Sequence, residues 1–350
     1  MIHVISVSGG KDSTATLLLA LERVPRDRIY PIFCDTGNEH AAVYAYLDYL
    51  ERALGVSIVR LRADFSKEIA AKRQFIARDR RTRREYDTAP KLDAHGQPVT
   101  YLDEDGEECQ RMKKVGGGRL VRWTNRAKRR ALAVLYPTGN PYLDLCLWKG
   151  RFPSRKAQFC TTELKTNLAV EYQLAFIDQG HTVVSWQGVR RDESQNRRDA
   201  KQFERIAPGL FHYRPIVDWN AERVFEYCAR RGVEPNPLYL QGMGRVGCMP
   251  CINAKKMELR EIAQRFPEHV ARISEWERLV CQAGKRNFAT FFASTNSPVE
   301  MKGLQDREIF AQGNIHQIVE WAHTTRGGKQ YDLLGATPSP TCSSAYGLCE

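Results

Sequence analysis

A glycine-rich loop lies between a short apolar run and a helix-like stretch at the start of the chain. The loop consists of Ser8, Gly9, Gly10, Lys11, Asp12 and Ser13, with residues 4–7 before it and residues 14–21 after it. Glycines let the backbone turn tightly and approach a phosphate, N–H groups at a helix start point at the anion, and Lys11 adds a positive charge. This order of strand, loop and helix predicts an α/β fold that binds a nucleotide.

The spacing of this loop excludes the most familiar phosphate loop. A Walker-type loop needs four residues between its first glycine and the Gly-Lys-Ser/Thr triplet, and none fits here, so kinase-like and GTPase-like chemistry is disfavoured. The sequence SGGKDS instead resembles the pyrophosphate loop of the N-type ATP pyrophosphatases, which split ATP into AMP and pyrophosphate to adenylate a substrate. The alternative is a glycine turn with a nearby lysine that binds nothing.

Strand and helix signals alternate through the N-terminal part of the chain. Strands are predicted at 2–7, 29–34 and 57–61, with helices from residue 13 and over 39–54. This order implies a parallel, doubly wound sheet, in which ligands bind beyond the carboxyl ends of the strands. Asp35, Thr36 and Gly37 fall at such an end and join the predicted nucleotide site. Asp35 could accept a hydrogen bond from a ribose hydroxyl or the adenine amine, or hold Mg²⁺.

The α/β pattern resumes with a helix over 161–179, a strand over 182–187 and a helix over 220–231. Gly188, Arg190 and Arg191 follow that strand, where guanidinium groups suit bidentate binding of phosphate. We therefore predict that these three residues bind the nucleotide. The alternative for the region of Arg190 and Asp192 is a structural salt bridge.

Residues 72–152 interrupt the pattern and form a predicted insertion with basic runs at 72–84 and 126–130. The chain has 53 Lys and Arg against 41 Asp and Glu, a formal net charge of +12. Such a surface attracts polyanions, which makes DNA or tRNA a candidate partner, with Trp123 and Tyr86 as candidates to stack on bases. The alternative for the net charge is that it serves only nucleotide binding and solubility. The alternative for the insertion is a solvent-exposed helix face followed by a flexible loop.

The predicted domain organisation has two parts. A nucleotide-binding domain over 1–240 contains the insertion, and a cysteine-containing helical region over 241–350 ends in a mobile tail. Helical periodicity appears at 258–266 and 268–283. Without a secretory signal pattern or an apolar run of membrane-spanning length, we expect a cytoplasmic protein with no membrane partner.

Ten cysteines give the second strong signal. Cys248 and Cys251 form a CxxC pair after a glycine-rich turn, and thiolates at that spacing can share one metal centre. Cys160 is the candidate third ligand, because the nearby basic residues favour its thiolate. The fourth is Cys342 or Cys349, with Cys146 as an outside candidate. An iron-sulfur cluster leads the possibilities, ahead of structural zinc and a dithiol redox pair. Three other cysteines lie among apolar residues in the sequence and are interpreted as buried packing residues: Cys34, Cys228 and Cys281.

A series of motifs occurs in the order typical of the phosphoadenosine phosphosulfate (PAPS) reductase family. The motifs are SGGKDS at 8–13, CDTG at 34–37, RKAQFCTTELK at 155–165, GVRRDES at 188–194, YRPIVDW at 213–219, PNPLY at 235–239 and GRVGCMPC at 244–251. The chain resembles that family over about 1–65 and 153–255. The family also includes the ATP sulfurylase small subunit and the ATP pyrophosphatases of DNA phosphorothioation.

The resemblance implies an adenine nucleotide alpha hydrolase-like sheet and a [4Fe-4S] cluster. It places Ser8, Gly10, Lys11, Asp12 and Ser13 around phosphates, and makes Cys160, Cys248 and Cys251 cluster ligands. Sulfonucleotide reductases carry a catalytic cysteine in a flexible C-terminal tail, and Cys349 is the candidate here. Two departures distinguish this chain: Phe159 precedes Cys160 where cluster-containing reductases have adjacent cysteines, and the loop keeps Lys11 and Asp12, which reductases commonly lose.

These features lead us to expect a PAPS-reductase-like ATP pyrophosphatase of sulfur metabolism. Lys11 and Asp12 would be catalytic, with Arg190 and Mg²⁺ neutralising the departing pyrophosphate. The acceptor would be a nucleic acid, and a sulfur donor protein would supply sulfur to displace AMP. The first alternative is a sulfonucleotide reductase, in which Cys349 attacks the sulfur of PAPS or adenosine phosphosulfate (APS) and thioredoxin releases sulfite. The second is a non-catalytic nucleotide-binding or nucleic-acid-binding subunit.

Overall fold

Short runs rich in β-branched and aromatic residues form a six-stranded sheet, which helices flank. The computed structural model describes residues 1–80, 84–104, 106–120, 123–292 and 303–325. The strands are β1 (Ile2–Ser6), β2 (Ile29–Asp35), β3 (Val59–Arg62), β4 (Arg84–Pro90), β5 (Thr100–Leu102), β6 (Glu108–Gln110), β7 (Met112–Leu120), β8 (Val183–Trp186), β9 (Phe203–Ala207) and β10 (Leu210–Tyr213).

The helices alternate with the sheet strands and then dominate the second half of the chain. They are α1 (Lys11–Arg23), α2 (Ala41–Leu54), α3 (Ser66–Arg78), α4 (Asn125–Val134), α5 (Pro141–Lys149), α6 (Phe159–Thr161), α7 (Asn167–Asp178), α8 (Ala221–Arg230), α9 (Pro237–Leu240), α10 (Lys256–Arg265), α11 (Pro267–Ala283), α12 (Asp306–Gly313) and α13 (Ile315–Ala322). A π-helical segment, Thr162–Thr166, joins α6 to α7. In the described part of the chain, no helix combines the length and apolarity that crossing a membrane requires.

The sheet order is β3-β2-β1-β8-β10-β9. All neighbouring strands from β3 to β10 pair in parallel, which confirms the predicted α/β class with a doubly wound, mostly parallel sheet. The sequence prediction missed β9 and β10, which pair antiparallel at one edge. Pro208 and Gly209 join them, and Gly209 has the positive φ of +77° that a tight hairpin turn requires.

Two large hydrophobic cores and two smaller clusters stabilise the described part of the chain. The first lies against one face of the sheet and includes Ile5, Leu17 and Leu47. The second joins helices α3, α4 and α5 of the predicted insertion to α11 of the C-terminal region. The insertion and the C-terminal region therefore share a core, while the predicted boundaries at 72, 152 and 240 stay predictions.

Two basic side chains at the start of the predicted insertion cap helices. Lys72 Nζ donates to the carbonyl oxygens of Leu147 and Trp148 at 2.9 and 2.7 Å, at the end of α5. Arg73 Nη1 donates to the carbonyls of Leu132 and Leu135, at the end of α4. Cations at the carbonyl end of a helix also interact favourably with its dipole. These side chains thus have a structural role within the fold.

The predicted stacking role of Trp123 is wrong. Trp123 is 9% exposed and belongs to the second core, where it packs with α4. A buried indole has no free face for a nucleic-acid base. The other predicted stacking residue, Tyr86, lies in β4, and Lys114 Nζ of the paired strand β7 is 5.2 Å from the centre of its ring.

Candidate functional site

The loop over residues 8–13 closes on itself through its two serines. The Ser8 N–H donates to Ser13 Oγ at 3.0 Å, and Ser13 Oγ donates to the Gly10 carbonyl at 2.9 Å. Helix α1 begins at Lys11, so Lys11, Asp12 and Ser13 form its first turn, where backbone N–H groups have no acceptor within the helix. Gly9 adopts a φ of +72°, which L side chains rarely adopt. These hydrogen bonds close the loop around the start of α1, an arrangement that is able to bind an anion.

Two cations converge on one carboxylate in this loop. Asp12 Oδ2 accepts from Lys11 Nζ at 2.9 Å, and Asp12 Oδ1 accepts from Arg190 Nε at 2.5 Å. Arg190 is 4% exposed. Burial opposes its charge, but Asp12 and Asp192 outweigh burial and raise the pKa of Arg190. The structure therefore brings together Lys11, Asp12 and Arg190, and Arg190 also forms the salt bridge with Asp192 that the alternative interpretation predicts.

Gly188 explains why the segment after β8 can approach the loop. A Cβ at this position would lie 2.8 Å from the backbone C and O of Asp12 and 2.9 Å from the Ser13 N. Because a side chain has no room there, only glycine lets the two segments touch. That contact carries Arg190 to the Asp12 carboxylate. Arg191 does not reach the loop, since it pairs with Asp218 and its Nε donates to the Ala200 carbonyl at 3.0 Å.

Asn236, which caps α9, and Tyr239 of α9 complete the surroundings of the loop, and the sequence analysis assigned neither of them to the site. Asn236 is 1% exposed, and its Nδ2 donates to the Gly9 carbonyl at 3.1 Å. Tyr239 Oη accepts from the Lys11 N–H at 3.1 Å, and its ring centre lies 5.8 Å from Lys11 Nζ. The signal that could have found them is the PNPLY motif, in which Asn-Pro starts a short helix.

Asp35 is already saturated with hydrogen bonds. It accepts from the Gly37 N–H at 2.9 Å, from Tyr44 Oη at 2.7 Å and from Arg62 Nη1 at 2.7 Å. A carboxylate with these partners shapes the turn after β2, and a nucleotide or Mg²⁺ would have to compete with Arg62 for it. Gly37 adopts a φ of +74° in that turn.

The turn after β2 also contacts the CxxC pair. Thr36 Oγ1 lies 3.4 Å from Cys248 Sγ and donates to Glu39 Oε1 at 2.7 Å. The Met249 N–H donates to the Asn38 carbonyl at 2.8 Å. The predicted nucleotide site and the predicted cysteine site are therefore neighbours that share one loop.

The cysteines of the predicted metal site lie near basic side chains. Arg245 hydrogen bonds with Cys251, and the Cys248 thiol raises the pKa of Lys165. The sequence analysis expects basic neighbours to favour the Cys160 thiolate, and for the protein alone this expectation is wrong. Burial and the Cys251 thiol outweigh Lys165 and raise the pKa of Cys160. Burial likewise raises the pKa of Cys248 to about 12. These thiols need a bound metal to become thiolates.

The other cysteines divide between packing positions and the tail. Cys228 and Cys281 are buried in the first and second cores, as predicted, and the Cys281 Sγ donates to the Ala289 carbonyl at 3.2 Å. Cys34 is half-buried at the end of β2. Cys342 and Cys349 lie outside the described residues.

Comparison with known proteins adds a family to this geometry. Residues 2–254 match the model of the phosphoadenosine phosphosulfate reductase domain. The chain is 45% identical over its whole length to an uncharacterised 37.8 kDa protein of Escherichia phage 186, of which it covers 97%.

Matches to named enzymes are shorter. The chain is 37% identical to an adenosine 5'-phosphosulfate reductase of Rhizobium tropici over 81 residues, which cover 23% of this chain and 44% of that enzyme. Among solved structures, the PAPS reductase of Candida auris in complex with phosphate is similar at a TM-score of 0.38 and 14% identity, covering 72% of this chain and 83% of that one.

Proposed function

The chain belongs to the phosphoadenosine phosphosulfate reductase family, and from that membership we propose that it is an adenylating ATP pyrophosphatase of sulfur metabolism. Its loop would bind the phosphates of ATP and cleave the bond between the α and β phosphates. The released groups would be pyrophosphate and an AMP moiety attached to an oxygen of the acceptor. Sulfur from a donor protein would then displace AMP.

The convergence of Lys11 and Arg190 on Asp12 carries this proposal. Charge develops on the bridging oxygen as pyrophosphate leaves, and preorganised cations lower the cost of that charge. Asp12 pairs with both cations, and Asp192 pairs with Arg190 as well. A bound polyphosphate would take over the two cations, and carboxylate oxygen is the ligand that Mg²⁺ prefers, so Asp12 would hold the ion that accompanies ATP.

The cysteine site fits an iron-sulfur cluster. Cys160, Cys248 and Cys251 supply thiol donors, which suit iron-sulfur clusters and zinc alike. Among the described residues, the only three histidine, cysteine or carboxylate ligand atoms that all lie within 4.8 Å of one another belong to His40, Glu268 and His269. Zinc, with Zn–S bonds of ~2.3 Å, holds its sulfur atoms only about 3.8 Å apart. No such close group among the described residues includes the cysteines, which agrees with a larger iron-sulfur cluster; when bound, the cluster would hold or relay sulfur.

A basic cleft supports a nucleic acid as the acceptor. The cleft is open, measures about 580 Å³ and is lined by Arg126, Arg130, Arg286, Arg307 and Asp306, among others. Arg286 pairs with Asp306 at 2.6 Å, and the remaining guanidinium charge would attract phosphates. DNA and tRNA are therefore the acceptors to test first.

The test is a product assay on anaerobically purified protein. ATP, PAPS and APS are supplied separately, with and without DNA, tRNA and a sulfide source, and AMP, pyrophosphate and sulfite are measured. We expect AMP and pyrophosphate from ATP, and a loss of at least ~100-fold in Lys11→Ala, the order of the loss when one oxyanion-stabilising donor is removed. Lys67→Ala, an exposed lysine in the first turn of α3, is the matched control and keeps the activity. No pyrophosphate under any condition contradicts the proposal.

Sulfonucleotide reduction is the second candidate, favoured by the short matches to adenosine 5'-phosphosulfate reductases. Cys349 would attack the sulfur of PAPS or APS, and thioredoxin would release sulfite. Under this candidate, wild type forms sulfite from one of these nucleotides and Cys349→Ser forms none while still binding nucleotide. An unchanged rate of sulfite formation in Cys349→Ser excludes the mechanism. Turnover of any kind that is lost in Lys11→Ala excludes a purely non-catalytic binding subunit.

A further inference from the structure

We propose that helix α5 completes the cluster site, with Cys146 as the fourth cysteine ligand and the Tyr142 hydroxyl as a hydrogen-bond donor to the bound cluster. This inference rests on the proposed iron-sulfur cluster. An all-cysteine [4Fe-4S] cluster takes four thiolates, and Cys160, Cys248 and Cys251 supply three. Phe159 occupies the position next to Cys160, so a fourth ligand must come from another part of the chain.

The start of α5 is fixed against the loop that contacts the CxxC pair. The Tyr142 N–H donates to the Thr36 carbonyl at 3.0 Å, and Asn140 Nδ2 donates to the Gly37 carbonyl at 2.7 Å. Asn140 also caps α5, since its Oδ1 accepts from the Leu143 N–H at 3.0 Å. Because Thr36 Oγ1 lies 3.4 Å from Cys248 Sγ, these bonds fix the first turn of α5 beside the cysteine site.

Cys146 follows Tyr142 by one helical turn, and residues four apart lie on the same face of a helix. Cys146 is fully buried in the second core, and Cys160 and Cys251 are partly buried and pack against that same core. Burial, and then the Cys160 thiol, raise the pKa of Cys146. Cys281, equally a cysteine of this core, instead has its sulfur engaged by the Ala289 backbone.

The Tyr142 hydroxyl is the independent sign that something binds here. Tyr142 is 2% exposed, and its Oη has no hydrogen-bond partner among the described residues. Leaving a buried polar group unpaired costs about 1–3 kcal/mol, so such groups usually have a partner. The ring stacks between Trp276, at a centroid distance of 5.6 Å, and Phe291, at 6.0 Å, which fixes the direction of the hydroxyl.

Four cysteine thiols act electrostatically on this unpaired hydroxyl. Burial raises the pKa of Tyr142 well above its ordinary value, and the further contributions come from the thiols of Cys146, Cys160, Cys248 and Cys251. The three expected ligands and Cys146 therefore all lie close enough to Tyr142 to act on its hydroxyl. Thiolate and inorganic sulfide both accept hydrogen bonds, so a bound cluster would supply the missing partner. The basic groups of Arg245 and Lys165 would balance its negative charge.

The ligand assignment is tested by iron and acid-labile sulfide content, together with Mössbauer spectra, of anaerobically purified full-length chain. We expect about four iron atoms per wild-type chain, the content of one [4Fe-4S] cluster. Cys146→Ser and Cys146→Ala should lose at least half of this iron. Cys281→Ser, the matched buried cysteine, and the double variant Cys342→Ser/Cys349→Ser should keep it. Far-UV circular dichroism confirms that each variant is folded.

The hydrogen bond is tested separately by the Tyr142→Phe variant, which keeps the ring and removes only the hydroxyl. A hydrogen bond to a cluster sulfur stabilises the more negative, reduced form, so Tyr142→Phe should keep its iron and show a lower reduction potential in an EPR-monitored titration. An unchanged potential contradicts the role of Tyr142.

The outcomes separate this inference from the proposed function. Full iron in folded Cys146 variants, with iron lost from the Cys342→Ser/Cys349→Ser variant, moves the fourth ligand to the tail and overturns the assignment. If the wild-type chain contains no iron and sulfide after anaerobic purification and reconstitution, the proposal of an iron-sulfur cluster is itself overturned. Pyrophosphate formation from ATP in that same preparation would show that the adenylating activity stands without it.

Discussion

A buried carboxylate in α11 makes the stability of the chain depend on pH. Glu277 is 1% exposed, and its two oxygens accept from the Phe291 N–H at 2.8 Å and the Ile315 N–H at 2.9 Å. It thereby ties α11 to the start of α13. Burial outweighs these two hydrogen bonds and raises the pKa of Glu277 from 4.5 to about 7.

The sign of the effect follows from proton binding. Between pH 4.5 and pH 7, Glu277 binds more protons in the folded state than in the unfolded state, so the free energy of unfolding falls as pH rises through this window. The change amounts to about 2.5 kcal/mol between pH 5 and pH 8. His269 acts in the opposite direction, because burial lowers its pKa to about 4, so the effect of Glu277 must be isolated by difference.

The measurement compares wild type with Glu277→Gln by urea unfolding, monitored by tryptophan fluorescence under anaerobic conditions at pH 5, 6, 7 and 8. At pH 5 the variant should be less stable, because its amide nitrogen faces a backbone N–H. The advantage of wild type should shrink by about 2.5 kcal/mol by pH 8. Glu275→Gln, an exposed glutamate in the same helix, should show no such trend. A wild-type advantage that stays constant from pH 5 to pH 8 refutes the reasoning.

Three further substitutions test the loop and the second core. Gly188→Ala forces a Cβ against the Asp12 backbone, and a misfit of about 1.4 kcal/mol should weaken ATP binding at least ~10-fold, as measured by calorimetry. Gly244→Ala is the control, because its Cβ lies in open space and ATP should bind normally. Asn236→Asp turns a carboxylate toward the Gly9 carbonyl and should weaken ATP binding more than Asn236→Ala; equal affinities would contradict the role of this hydrogen bond. Trp123→Ala should lower the free energy of unfolding by about 3–5 kcal/mol, the cost of emptying a buried tryptophan site, and reduced tRNA affinity with full stability would restore a stacking role.

Local patterns predicted the elements that place the nucleotide loop. The strand, glycine loop and helix at residues 2–23 are contiguous, so their periodicity and glycine content suffice to predict them, and the carboxyl ends of parallel strands then bring Asp12 and Arg190 together. The hairpin of β9 and β10 was missed because each strand is short and carries polar residues on an edge.

The sequence could not reveal contacts between distant segments. Tyr239 meets Lys11 across 228 positions, and Arg62 occupies the Asp35 carboxylate through strand pairing that composition does not encode. Trp123 is buried in the second core, which residues of the remote helix α11 help to form. The same core contains Cys146, which the sequence offered only as an outside candidate for the fourth ligand and which the packing makes the proposed one.

The central claim is that the chain breaks the α–β bond of ATP, and exchange of labelled pyrophosphate into ATP tests it most directly, because the label enters ATP only through reversal of that cleavage. Wild type, assayed with Mg²⁺ and with DNA or tRNA present, should catalyse the exchange, and Lys11→Ala should lose it while Lys67→Ala keeps it. Sulfite release from PAPS or APS by wild type, with no exchange under any of these conditions, would contradict the account and make the chain a reductase.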